Sequence, residues 1–157
     1  MSDGKKPEVD DLIGFGMDFI HQAGESAMVF YGKGRPQVKF DQGVVTEAEI
    51  RLTELFKDQL HQHFPEHKLF SVDEVNQDYS HEGKRYLWAF DPLEGVANFQ
   101  AGIPLWGLSL ALLENFWPVF GVFFMPATGD LFHARAGCCA YWGRREIAVP
   151  VPDGLDD

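Results

Sequence analysis

The sequence predicts an α+β fold in which two N-terminal helices pack on a mostly antiparallel sheet. Apolar residues recur at helical spacing over residues 9–31 and again from residue 46 to about residue 64. From residue 68 onward they form short runs separated by Gly, Pro and Asn, which is typical of strands and turns. Two helices followed by a run of strands indicate one helical layer on a largely antiparallel sheet.

The first predicted helix covers residues 9–31 and buries one face. Its apolar side chains lie three or four positions apart, so they line one side of a helix. The Gly-Lys-Gly-Arg-Pro run at residues 32–36 ends it, and residues 38–40 form a short predicted strand. The apolar positions of this helix are Leu12, Phe15, Phe19, Ala23, Ala27 and Phe30.

The second predicted helix starts at Thr46 and ends near residue 64. Thr46 and Glu49 have the S/T-x-x-E spacing of a capping box, in which each residue satisfies a backbone N–H of the other. Pro65 stands just beyond the end of the helix, where it stops further helical hydrogen bonding. The side chains on the apolar face are Leu52, Phe56 and Leu60.

Five strands are predicted after the second helix. They cover residues 68–72, 86–90, 105–113, 118–125 and 130–134. In 105–113 and 118–125 both alternating sets of side chains are apolar, which indicates a sheet covered on both faces. Two helices cover one face only. We predict that a second copy of the chain covers the other face and that the protein forms a homodimer. The alternative is cover by the chain's own loops and by the segment around residues 92–104.

Composition and charge limit the expected partners. With 24 acidic and 13 basic residues, the 157-residue chain has a formal charge of −11. Such a chain repels phosphate backbones and anionic lipid, so we expect neither nucleic acid nor membrane surfaces as partners. No apolar run approaches the ~20 residues that span a bilayer, and residues 1–6 lack the apolar segment of a signal peptide. Cys138 and Cys139 are adjacent and poorly placed for a disulfide, so we expect a reducing cytoplasm.

The segment at residues 91–99 reads Asp-Pro-Leu-Glu-Gly-Val-Ala-Asn-Phe and follows an apolar run. It resembles the signature Asp-Pro-(Ile/Leu)-Asp-Gly-Thr-x-Asn-Phe of the inositol monophosphatase family, the Mg-dependent, lithium-sensitive sugar and inositol phosphatases. Residues 45–49 are similar to the family's Val-Thr-Glu-Ala-Asp, and residues 64–67 to its Phe-Pro-x-His. Later segments continue in order, so the resemblance covers nearly all of residues 10–149. It implies a single domain over residues 1–157 that resembles the N-terminal half of the family fold, with the C-terminal α/β domain absent.

The resemblance also implies Mg²⁺ as the cofactor and gives roles to positions of this sequence. The implied metal ligands are Asp91, the Leu93 carbonyl, Glu94 and, after a one-residue shift, Asp73 with Glu74. The implied water-activating positions are Glu49 and Val96. A small phosphate or other anion would be bound by the backbone of Gly95, Val96 and Ala97, because backbone donors do not depend on the side chain.

Departures from the family pattern fall at these chemical positions. Glu94 stands for the second Asp and moves the carboxylate by roughly 1.5 Å, about one C–C bond, whereas Mg²⁺ needs near-ideal octahedral geometry. Val96 stands for the Thr and has no hydroxyl, and Glu49 stands for the supporting Asp. Val72 falls where ungapped counting places a ligand Glu. The sequence therefore predicts a catalytically impaired or inactive member that acts as a dimerising or ligand-binding module, with Mg²⁺ as its cofactor or with none.

Several of these residues have a second interpretation. For Glu49 the place in a capping box is the favoured interpretation. Asp91 before Pro92 has the pattern of a cap on a short helix, and Asp73 with Glu74 has that of a solvated turn. The alternative function is an active Mg-dependent phosphomonoesterase that acts on small sugar or inositol phosphates, with a site completed by another chain.

Overall fold

The computed structural model describes residues 8–33, 38–40, 43–70 and 85–148, with the backbone alone at residues 38–40 and 43–45. Within these ranges no helix is long and apolar enough to cross a membrane. The elements, in chain order, are α1 (Val9–Met28), β1 (Val38–Phe40), β2 (Gly43–Val45), α2 (Glu47–His63), β3 (Lys68–Phe70), β4 (Tyr86–Glu94), α3 (Val96–Ala101), β5 (Gly107–Glu114), β6 (Trp117–Met125), β7 (Asp130–Arg135), β8 (Ala140–Trp142) and β9 (Arg145–Ile147).

Seven of the strands form one sheet in the order β3-β4-β5-β6-β7-β8-β9. β3 runs parallel to β4, and every later pair of neighbours is antiparallel. β1 and β2 form a separate antiparallel pair. The prediction of an α+β fold with a mostly antiparallel sheet is confirmed.

Helices α1 and α2 pack on the sheet, α1 over β5 and β6 and α2 over β4. Two glycines let α1 approach closely. A Cβ at Gly16 would lie 3.2 Å from the Trp88 ring, and a Cβ at Gly24 would overlap the Phe124 ring and lie 2.9 Å from Pro126. The helices and alternate strand positions share one continuous core, and burying each large apolar side chain there contributes about 1.5–3 kcal/mol. The largest fully buried side chains include Trp88, Trp106, Phe19, Phe56, Leu12 and Ile20.

Both predicted helices are present, with small differences at their ends. α1 ends at Met28 rather than at residue 31, and the chain turns towards Gly32, whose φ is +71°. At the start of α2, the Glu49 N–H donates to the Thr46 hydroxyl (3.2 Å) and the Thr46 N–H donates to the Glu49 carboxylate (2.7 Å). The predicted capping box is therefore confirmed.

The five predicted strands correspond to β3, β4, β5, β6 and β7. β3 is described to residue 70, and the rest of that predicted strand lies outside the described residues. β4 continues four residues further than predicted, to Glu94. The elements β2, α3, β8 and β9 were not predicted. Three of them have only three residues and α3 has six, which is too short for a hydrophobic period to be recognised.

The sheet face opposite the helices also carries apolar side chains. Successive strand residues point to opposite faces, so the neighbours of buried Trp88, Leu110 and Val122 point away from the helices. These outward residues are half-buried and stand outside the continuous core. A Cβ at Gly121, in the middle of this face, would meet no atom within 4 Å. We call this surface the open face; its apolar members are Leu87, Ala89, Ala111, Leu113, Phe123 and Phe132.

The segment around residues 92–104 was the alternative candidate to cover the open face, but its buried apolar side chains pack on the helical side of the sheet. Leu93 and Phe99 belong to the continuous core. The Phe99 ring meets the Trp106 ring edge-on at 4.7 Å and lies 5.9 Å from the Tyr31 ring, which follows α1. These contacts attach α3 to the helical side of the sheet.

Candidate active site

Two carboxylates lie at the end of β4, where the strand pairing is interrupted. Asp91 pairs with Ser109 of β5, and the register then shifts before Glu94 pairs with Gly107. The bulge re-aims the side chains at the end of the strand. Within it, the Leu93 side chain is 3% exposed and anchors the segment, while both acids are exposed.

The Asp91 side chain fixes the backbone of this bulge. The Leu93 N–H donates a hydrogen bond of 3.0 Å to Asp91 Oδ1. Asp91 is part of β4, and α3 begins only after Gly95. The second interpretation of Asp91, as the cap of a short helix, is therefore wrong, because the extended strand continues through Pro92.

The carboxyl groups of Asp91 and Glu94 interact directly. The charge of Asp91 raises the pKa of Glu94 above its ordinary value, and a hydrogen bond between the two side chains and partial desolvation raise it further. Two carboxylates that interact in this way favour the binding of a proton or a cation between them. The arrangement has the chemistry of a weak cation site.

Gly95 allows the chain to turn from β4 into α3. Its φ is +81°, in the left-handed region, and a Cβ there would lie 2.9 Å from the Leu105 carbonyl oxygen. The same carbonyl oxygen accepts a hydrogen bond of 2.8 Å from Asn98 Nδ2, so it lies against the turn at both Gly95 and Asn98. The first N–H groups of a helix have no partner within that helix. In α3 these first N–H groups include those of Val96 and Ala97, which follow Glu94 and Gly95 directly in the sequence.

The Val96 side chain belongs to the protein interior rather than to the site. It is half-buried and packs against the core. Having no hydroxyl, it cannot hold or orient a water molecule. Ala97 is exposed and offers only its backbone.

Glu49 lies at the start of α2, where its carboxylate is engaged in the capping box with Thr46. Thr46 is buried. The hydrogen bond to the backbone accounts for this carboxylate without any catalytic role, and the catalytic role of Glu49 stays a prediction.

The Phe-Pro-x-His segment, residues 64–67, packs against β4 close to the two carboxylates in sequence. His67 is buried, and its ring stacks on Phe64 with centroids 4.9 Å apart. Trp88 Nε1 donates to His67 Nδ1 at 3.1 Å, so this ring nitrogen is an acceptor. The end of α2 is thereby joined to β4 three residues before Asp91.

The two exposed carboxylates of Asp91 and Glu94 suit a cation that keeps its bound waters better than one enclosed by protein ligands. Mg²⁺ in proteins often keeps several waters and uses one or two carboxylates, which Asp91 and Glu94 provide. In the described ranges no group of three or more His, Cys, Asp or Glu side chains is placed to hold a metal ion. Asp73, Glu74 and Val72 lie outside the described residues.

Sequence patterns did not reveal the part played by Leu105. Its carbonyl oxygen limits the space at Gly95 and accepts from Asn98. A backbone carbonyl leaves no trace in residue identity, so no sequence signal was available to find it.

Comparison with known proteins places these features in one family of sequences. The family model described as the inositol monophosphatase family matches residues 10–154. A histidinol-phosphatase from Chlorobaculum parvum is 31% identical over 135 residues, which are 85% of this chain and 51% of that protein. A fructose-1,6-bisphosphatase/inositol-1-monophosphatase from Thermotoga maritima is 26% identical over 149 residues, which are 94% of this chain and 56% of that protein.

Solved structures show the same fold. An IMPase from Thermotoga maritima has a TM-score of 0.74 at 25% identity, over 89% of this chain and 54% of that one. An IMPase/NADP phosphatase complexed with NADP and Ca²⁺ has a TM-score of 0.79 over 93% of this chain and 56% of that one. Its identity is 18%, so the likeness concerns the fold alone. The chain spans about half the length of the curated relatives it matches.

Proposed function

Because the chain belongs to the inositol monophosphatase family, we propose that it keeps the binding frame of a phosphatase site without efficient catalysis. It acts as a ligand-binding module that self-associates. The observation that carries this proposal is the side chain of Val96, which packs against the core at the position where the family signature has a hydroxyl. The turn at Gly95 is intact, while the group that would orient water is missing.

The binding part of the proposal rests on Asp91 and Glu94. Their carboxyl groups interact and both are exposed, so a hydrated Mg²⁺ would relieve their mutual repulsion. The Leu93 carbonyl is the third oxygen that the resemblance assigns to the metal. When bound, Mg²⁺ would supply positive charge for a phosphate and would acidify a coordinated water. Asp91 and Glu94 would hold the cation, and among the described residues of the turn no side-chain hydroxyl orients the water.

The anion part of the proposal rests on backbone donors. The N–H groups of Val96 and Ala97, with Gly95 in a left-handed conformation before them, lie directly after the second carboxylate. Two carboxylates beside these donors disfavour a free anion. We therefore expect phosphate to bind only together with a divalent cation that neutralises Asp91 and Glu94.

The proposals for cellular location and partners rest on the two free cysteines and on the net charge of the chain. Cys138 and Cys139 are exposed and free, which suits a reducing compartment such as the cytoplasm. The formal charge of −11 disfavours nucleic acid and anionic membranes as partners. A second copy of the chain is the partner we propose.

Calorimetry tests the binding part. Titration of the wild-type chain with Mg²⁺ should show weak binding, and Asp91→Asn should abolish it. Asp18→Asn is the matched control, because Asp18 is an exposed acid on α1 and its replacement changes the net charge equally. Inorganic phosphate should bind only with Mg²⁺ present. Equal Mg²⁺ binding by both variants would place the cation elsewhere.

A turnover assay tests the catalytic part. Phosphate release should stay at background with Mg²⁺ on small sugar and inositol monophosphates, because no side chain of the turn orients the water. Mg²⁺-dependent release that Asp91→Asn abolishes would instead support the alternative, an active phosphomonoesterase whose site is completed by another chain.

A further inference from the structure

A cavity of about 430 Å³ lies between the start of α1 and the β7–β8 hairpin. Its lining includes His133 of β7 and Tyr141 of β8, which pair with each other, and His133 also pairs with buried Val122 of β6. Residues that pair across strands share one face of the sheet, so the cavity lies on the helical side and not on the open face. Among the described residues that line it, none belongs to β4 or α3, so it is separate from the candidate active site.

Two pairs of side chains hold the walls of this cavity in place. The Arg135 guanidinium on β7 is paired with the Asp10 carboxylate on α1, which joins the hairpin to the helix. The His133 ring stacks on the Tyr141 ring with centroids 5.3 Å apart. Its Nε2 lies 3.0 Å from the Gly143 carbonyl oxygen, which only accepts, so Nε2 carries the hydrogen and donates it. The guanidinium and the imidazole are thus engaged, and the nucleophilic groups that line the cavity are its two cysteine thiols.

The two thiols belong to the turn between β7 and β8. Gly137, with a φ of +75°, shapes this turn, and the Cys138 N–H donates to the Arg135 carbonyl oxygen at 3.0 Å. Both Cys138 and Cys139 are exposed and line the cavity. Their Cα atoms are about 3.8 Å apart across a trans peptide, whereas an unstrained disulfide needs about 4.4–6.8 Å. Oxidation of either thiol without strain therefore requires a sulfur atom from another molecule.

The two thiols differ in what their surroundings do to them. The Cys139 thiol donates to the Glu146 carboxylate, and this hydrogen bond, together with the charge of Glu146, raises the pKa of Cys139. The thiolate is the form that attacks a disulfide, so the contact with Glu146 keeps Cys139 in its less reactive form. Cys138, which lines the same cavity, is therefore the thiol that we expect to attack.

Charge around the cavity favours a small cationic ligand. Asp10 neutralises Arg135, and Glu146 adds a negative charge beside the thiols. Arg145 alternates with Glu146 along β9 and points to the other face of the sheet, and Arg144 lies in the turn at the far end of β8 from the thiols. The formal charge of −11 acts in the same direction as Glu146. A volume of about 430 Å³ falls within the ~300–1,000 Å³ typical of small-molecule sites.

We propose that Cys138 is a modification site that forms a mixed disulfide with a small aminothiol, whose remainder occupies the cavity with its ammonium group towards Glu146. The Cys138 thiolate attacks one sulfur of the corresponding small disulfide. The new S–S bond forms as the S–S bond of the reagent breaks, and the departing thiolate takes up a proton. The Cys138 sulfur is oxidised and the departing sulfur is reduced, so no further oxidant is needed. In a reducing compartment the modification is transient and follows the ratio of small disulfide to thiol.

Intact-mass spectrometry of the full chain treated with cystamine, followed by peptide mapping, tests the modification. Wild type and Cys139→Ser should each gain one cysteamine group on Cys138, and Cys138→Ser should react several-fold more slowly. An adduct confined to Cys139, a disulfide between the two cysteines, or no adduct would overturn the proposal.

The charge of the reagent tests the class of ligand. Glutathione disulfide carries a net negative charge and should react with Cys138 several-fold more slowly than cystamine. Glu146→Gln should reduce that ratio, because it removes the charge beside the thiols. An unchanged ratio in Glu146→Gln would overturn the choice of an aminothiol.

A matched pair of variants at Gly14 tests the cavity. Gly14 lines it on the side of α1, and a Cβ there meets nothing within 4 Å. Gly14→Phe should fill the cavity and slow the reaction of Cys138 with cystamine several-fold, whereas Gly14→Ala should react like wild type. Equal rates in the two variants would overturn the part given to the cavity.

Unfolded wild type keeps the test decisive if Gly14→Phe is not folded by circular dichroism. In concentrated urea the cavity and the contact between Cys139 and Glu146 are both lost. Cys138 and Cys139 should then react with cystamine at similar rates. A preference for Cys138 that urea leaves unchanged would overturn the proposal, because the folded site would not be its cause.

Discussion

Gly95 offers a quantitative test of how the turn beside the two carboxylates is built. Gly95→Ala forces a residue with a Cβ to keep a φ of +81°, which costs about 1–2 kcal/mol. The new Cβ would also lie 2.9 Å from the Leu105 carbonyl oxygen. Relief of that contact requires angular strain in the turn, which adds about 1 kcal/mol. We expect a total loss of about 2–3 kcal/mol in the free energy of unfolding, the sum of those two costs.

Gly129→Ala separates the two contributions. Gly129 has a φ of +78°, nearly the same as Gly95, but a Cβ there would meet nothing within 4 Å. It should therefore lose only the conformational part. Urea unfolding followed by tryptophan fluorescence measures both variants. The excess at Gly95 should be about 1 kcal/mol, or about 2–4 °C in Tm. Equal losses in the two variants would refute the role given to the Leu105 carbonyl.

Three further predictions concern capping, titration and packing. Thr46→Ala should cost about 1 kcal/mol in urea unfolding, and Thr46→Ser should restore most of it; no loss would exclude a stabilising capping box. Asp91→Asn should lower the pKa of Glu94 towards its ordinary value in a carboxyl NMR titration, because the Asp91 charge is the main cause of the raised pKa. Since that pKa is raised in the folded state, the stability that Glu94 contributes is present below its ordinary pKa and is lost as pH rises through the folded value. A Glu94 pKa that Asp91→Asn leaves unchanged would contradict the role of the Asp91 charge. Gly24→Ala should destabilise by about 1–3 kcal/mol, because its Cβ overlaps a ring of β6. Gly14→Ala, with open space around it, should stabilise by up to about 1 kcal/mol, and the opposite order would contradict the close packing of α1.

Much of the fold was predictable because long elements carry their own period. α1 and α2 have apolar residues at every third or fourth position, and Thr46 with Glu49 marks the start of α2. Apart from residues 38–40, the strands that were predicted are at least five residues long in the sequence. The short hairpin of β8 and β9 was missed because three residues give only a weak alternation.

The candidate site was predictable in its identity and only partly in its geometry. The motif located Asp91, Glu94 and Gly95 in sequence, and all three lie around one turn. The bulge between Asp91 and Glu94 was not predictable, because it arises from the pairing of β4 with β5. The contact of Val96 with the core also depends on the path of α3, which no local pattern fixed.

We propose a turn that has kept its shape while losing the groups that activate water. The decisive measurement is Mg²⁺-dependent phosphate release from inositol monophosphate by the wild-type chain, measured beside Asp91→Asn at the same protein concentration. We expect the two rates to be equal and to match the rate without protein. A wild-type rate more than about tenfold above that of Asp91→Asn, equivalent to about 1.4 kcal/mol of transition-state stabilisation, would contradict it.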